Sequence, residues 1–125
     1  MAATALAEDL YSDDATHPIP SVTTLDMHEL FDNGSSELSI IINGPLAADN
    51  RSQRRLIQKI DNYLALIECA DFQEQCGPPS PERTRILVNI PYNSDPVIFI
   101  LLERCQDWVL SAGASMVVER IMWRG

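Results

Sequence analysis

The chain has 125 residues, an ordinary globular apolar fraction of 46%, and a formal net charge of −9 from 18 acids against 9 bases. That length supports one domain with one core. No apolar run reaches the roughly 18–20 residues of a membrane span, and an acidic surface repels nucleic-acid phosphates, so membrane and nucleic-acid partners are both disfavoured.

The charge is unevenly placed. Glu8, Asp9, Asp13, Asp14, Asp26, Glu29, Asp32 and Glu37 precede the first base, and every Lys or Arg falls at Arg51 or later. The start, MAATALAEDL, has no basic n-region and no adequate apolar run, which argues against a secretory signal and for a cytoplasmic location. Residues 1–21 read as an acidic, flexible tail. They are poor in periodic apolar residues and carry Pro18 and Pro20, which remove donors and favour extended neighbours. Residues 22–125 read as the folded domain.

Val22 to Phe31 alternates, with Leu25, Met27 and Phe31 on one side, and suits a strand with one wet face. Asp32-Asn33-Gly34-Ser35 is hairpin-turn chemistry, since Asn and Gly tolerate positive φ. Glu37 to Asn43 is β-branched and forms the second strand of the hairpin, ended by Gly44-Pro45. Arg51 to Glu74 is the longest helical period. Leu56, Ile60, Tyr63 or Leu64, and Ile67 make one apolar stripe, Asp49 or Asn50 caps the start, and Gly77-Pro78-Pro79 stops it. Arg83 to Ile90 alternates as a third strand. Ser94-Asp95-Pro96 starts a second helix, whose face is Ile98, Leu101, Leu102, Cys105, Val109 and Ala112, with Gly113 as its terminator. Met116 to Trp123 reads as the fourth strand.

The order strand, strand, helix, strand, helix, strand contains two crossovers, which are right-handed and favour parallel pairing. The predicted fold is an α/β (α+β) two-layer sandwich, a mixed four-stranded sheet with two helices on one face. The segments LIQKIDNYLALIE, RILVNIPY and LLERCQDWVLSAGASMVVERI resemble a family of small uncharacterised bacterial proteins with this order of elements, over residues 22–122. The resemblance implies the topology and a bacterial origin. It implies no catalytic residue.

No motif supplies chemistry. Neither His17 nor His28 has a ligand partner at metal spacing, and the three cysteines, Cys69, Cys76 and Cys105, form no CxxC pair and read as reduced apolar side chains. No cofactor is expected and no catalytic residue is assigned. Two surfaces stand out. Arg51, Arg54, Arg55 and Lys59 crowd a helix start, where positive charge opposes the macrodipole. They form a weak candidate anion site, open to three readings: a solvated face, a dock for the acidic N-terminal segment, or a site for a ligand phosphate or carboxylate. Val97, Ile100, Arg104 and Trp108 form a second stripe on the other helix, either a wide buried arc or an interface, including one between two copies.

The leading expectation is a non-enzymatic, cytoplasmic protein-interaction module. Its sharpest form is an immunity-type inhibitor whose acidic side chains plug the basic cleft of a bacterial toxin. The alternative is a homodimeric small-ligand protein or enzyme with a strand-end pocket built from Asn43, Arg51, Arg55 and Tyr92.

Overall fold

A computed structural model describes residues 10–123. Its strands are β1 (Met27–Leu30), β2 (Ser36–Ile41), β3 (Thr84–Pro91) and β4 (Ser115–Ile121). Its helices are α1 (Asn50–Glu68), α2 (Ala70–Cys76), α3 (Pro96–Arg104) and α4 (Gln106–Ser111). The sheet order is β1-β2-β3-β4, with β1 antiparallel to β2 and both later pairs parallel. This is the predicted mixed sheet in the predicted order, with each expected helix divided in two.

One sheet face carries the core. Leu38, Ile40, Ile86, Val88, Ile90 and Met116 are buried there in a single cluster with Leu56, Ile60, Tyr63, Leu64 and Ile67 of α1 and with Ile98, Leu102 and Val109 of the second crossover. Both crossovers therefore lie on that face. The opposite face is partly wet, with Met27 and Val117 exposed.

The predicted punctuation works as the chemistry requires. Asp49 caps α1 by accepting from the Ser52 N–H, and Asp95 caps α3 by accepting from the Val97 N–H at 2.9 Å, ahead of Pro96. Gly34 and Gly77 hold positive φ of 87° and 78°, in the hairpin turn and at the end of α2. The long helix breaks at Cys69, whose ψ of 152° is extended. The break swings α2 so that Phe72 is buried and its ring lies 5.5 Å from that of His28. Cys105 stays in the right-handed region between α3 and α4, a local kink rather than a change of path.

The expectation of a flexible tail over 1–21 is corrected for residues 10–21; residues 1–9 lie outside the described residues. Ile19 is buried and belongs to the core cluster, as does Val22. The Pro18 carbonyl accepts from the Asn43 N–H at 2.7 Å, which ties the segment to the end of β2. Proline restricted the conformations of this segment without preventing it from packing, because its carbonyls still find donors.

Candidate functional site

The basic cluster resolves first. Arg55 is fully buried, and its guanidinium donates to the carbonyls of Leu10, Ser12 and Ile19 at 2.6–3.1 Å. Lys59, equally buried, donates to the Ser21 carbonyl at 2.6 Å and pairs with Asp26 at 2.8 Å. Arg51 pairs with Asp14 at 2.8 Å. Of the three readings, docking of the N-terminal segment is the one the geometry fits. It works mostly through main-chain carbonyls, with ion pairs to Asp14 and Asp26. An external anion cannot reach Arg55 or Lys59. Arg54 alone of the four points outward, loosely bonded to Asn50.

His17 completes this contact. Its Nδ1 accepts the Ile19 N–H at 2.9 Å and its Nε2 lies 3.0 Å from the Ser52 hydroxyl. Burial, with Arg55 and Arg51 nearby, pushes its pKa below the ordinary histidine value. The neutral ring, with Nε2–H donating to Ser52, is the form that fits.

The consequence lies at the surface. Among the described residues Arg55 and Lys59 are internal, and Arg51 and Arg85 are paired with Asp14 and Glu37. From Ile60 to Glu82 the chain carries Asp61, Glu68, Asp71, Glu74 and Glu82 and no base at all. A groove of about 500 Å³ runs between α1 and the segment leading into β1. Asn62, Ala65, Leu66 and Cys69 form its helical wall, Thr23 and Leu25 the opposite wall, with Tyr63 between. Exposed Asp61 and Glu68 flank the helical wall in sequence.

Both walls are fixed from below. The Tyr63 hydroxyl donates to the Ser39 carbonyl at 2.7 Å and accepts from the Asp26 N–H at 2.9 Å, and burial holds its pKa above the usual phenol value. Asn62 donates to the Val22 carbonyl at 2.8 Å. The groove is thus largely apolar, flanked along α1 by two exposed acids and built on a hydrogen-bonded floor. It was absent from the sequence reading. Its one legible signal was the base-free acid run of Asp61 to Glu82, together with a side stripe at 62, 66 and 69.

The second stripe divides. Val97 and Ile100 are about half exposed and Arg104 is exposed, whereas Trp108 is half-buried against the core. At the strand ends a cavity of about 350 Å³ is lined by Tyr92, Ser94, Phe99, Ile100 and Arg120, but by none of Asn43, Arg51 or Arg55. The expected pocket is therefore not assembled; Arg120, lying 4.0 Å over the Phe99 ring, is its cation instead.

Among the described residues no three His, Cys, Asp or Glu side chains converge as a metal site, and no helix is long and apolar enough to cross a membrane. Cys105 is buried, which raises its thiol pKa, while Cys69 is exposed. A scan of family models and searches of curated proteins and of solved structures find no match to this chain.

Proposed function

We propose that this chain is a small acidic protein-interaction module whose partner presents a basic, partly apolar segment. One observation carries the reading: Arg55 and Lys59 are consumed inside the fold, leaving a largely apolar groove whose helical wall lies in the base-free, acidic stretch of the chain. Such a surface accelerates encounter with a basic partner and rejects acidic ones. In its narrowest form the partner is a toxin whose basic cleft this face covers, the immunity-type case.

Charge reversal tests it. Asp61→Lys/Glu68→Lys should keep the fold, since both side chains are exposed. A partner captured by the wild-type protein at low salt, then purified, should bind the double variant at least about tenfold more weakly and be released as salt screens the charges. Equal binding by both proteins at every salt concentration ends the reading.

A second reading rests on a separate observation, the exposed pair Val97 and Ile100 one helical turn apart on α3. An isologous contact between two copies would bury both pairs at once.

A further inference from the structure

Strand β1 ends the sheet, and its hydrogen-bonding phase can be read off. The Phe31 N–H donates to the Ser35 carbonyl at 2.9 Å, and the register sets Glu29 against Glu37 and Met27 against Ser39. These are the pairs that exchange main-chain bonds, so the N–H and C=O of His28 and Leu30 point away from the sheet. Among the described residues nothing bonds them.

Edge strands in stable proteins are blunted by lysine, proline or bulges. Beyond its shortness, β1 (Met27-His28-Glu29-Leu30) carries none of these, and its only full charge is negative. All four residues are exposed. The preceding residues Thr23 and Leu25 form one wall of the groove, so the open edge continues directly from it.

We infer that β1 accepts an extended segment of the partner as a fifth strand, with main-chain bonds to His28 and Leu30. Alternate apolar side chains of that segment would lie on the α1 side and enter the groove, and the Lys or Arg side chains between them would face the other side of the sheet, where Glu29 lies. This rests on the interaction-module reading and adds the mode of binding. Main-chain pairing supplies affinity and the alternating side chains supply selectivity. The ladder stops short of Asp26, because the Asp26 N–H is held by Tyr63 and its carboxylate turns inward, which leaves the groove mouth open beside the edge.

The probe is an acetylated heptapeptide alternating lysine and valine, with two relatives: one N-methylated on the edge-pairing residues, the other with glutamate for lysine. The lysine peptide should slow amide exchange at His28 and Leu30 at saturation. N-methylation should weaken it by about two- to tenfold per lost main-chain bond, and the glutamate peptide should not bind. Leu30→Pro removes one outward donor without touching the bonds to β2 and should give the same loss with an unchanged circular dichroism spectrum. Should that variant misfold, the N-methylated peptide still decides. Tight binding by the N-methylated peptide, binding that leaves both amides unprotected, or no binding by the lysine peptide overturns strand addition. None of these touches the charge-reversal result, on which the interaction-module reading stands or falls.

Discussion

Asp26 Oδ2 accepts the main-chain N–H of Ile41 at 2.9 Å, in the place where a strand carbonyl would normally sit. Its other oxygen holds Lys59 at 2.8 Å. One side chain therefore ends the β1–β2 ladder and neutralises a buried ammonium. This relationship lets the chain leave the sheet at residue 26 without orphaning a buried donor. Asp26→Asn keeps the shape but removes the counter-charge, leaving Lys59 buried beside neutral acceptors. We expect a loss of about 3 kcal/mol in urea unfolding, the order seen when a buried pair is broken from one side. Asp26→Asn/Lys59→Met should recover part of it, because the uncompensated charge goes as well. A loss under about 0.5 kcal/mol for the single variant would mean that Lys59 is readily hydrated.

Arg55 carries the N-terminal segment. Arg55→Ala strips donors from the Leu10, Ser12 and Ile19 carbonyls and opens the space beneath them. A hydrogen bond to a charged group contributes about 1.5–3 kcal/mol, so the expected loss is at least about 3 kcal/mol. Arg54→Ala, one residue away and exposed, should stay within about 0.5 kcal/mol. Deleting residues 1–21 should likewise lower the thermal midpoint clearly, because Ile19 leaves the core. Matching unfolding curves for the full and shortened chains would show that the docked segment contributes nothing.

His17 gives the docked segment a pH dependence. Its folded pKa lies below the unfolded value near 6.5, so the unfolded state binds more protons in the window beneath that value. Its contribution to stability is complete above about pH 6.5 and declines as pH falls through the window. Asp14, held low by its bonds to Thr16 and by Arg51, keeps its contribution until pH falls through the ordinary carboxylate range, beneath this window. Thermal midpoints of the wild type should therefore fall between about pH 6.5 and 5, and His17→Gln should flatten that stretch of the curve. A wild-type midpoint that stays level there would rule out the neutral ring bound to Ile19.

Most of the fold was legible because its signals are local. The stripe through Leu56, Ile60, Leu64 and Ile67, the Asp49 and Asp95 caps and the glycine at 113 each fix their element within a few residues. The fate of Arg55 and Lys59 was not, because both partners lie some 30 to 45 residues away in sequence and are mainly carbonyls, which every residue possesses. Spacing brought these two cations to one end of the helix and left a solvated face, a docked segment and an external anion all open. The groove was hidden for the same reason: it exists only because Asn62 and Tyr63 hold the segment around Val22 to Asp26. The helix break at Cys69 has no glycine or proline to announce it; burial of Phe72 follows the turn. The expected stripe on α3 was read as continuous through Trp108, whereas Trp108 lies past Cys105 on α4 and packs half-buried against the core.

The kink at Cys105 separates two substitutions. Trp108 packs half-buried against the core, whereas Ile100 is half exposed. Trp108→Glu sets a charge against apolar neighbours and removes ring contacts, and should destabilise by about 3 kcal/mol, the scale of large-to-small losses at aromatic sites. Ile100→Glu changes a solvent-facing position and should leave the midpoint within about one or two degrees, the shift expected of a surface change. If α3 is the contact between two copies, a charge at Ile100 desolvates on both sides of the twofold axis, so the variant becomes a folded monomer while the wild type scatters as a dimer. Light scattering beside circular dichroism reads both properties. A wild-type protein that stays monomeric at millimolar concentration removes the homodimer, and Val97 and Ile100 are then ordinary surface.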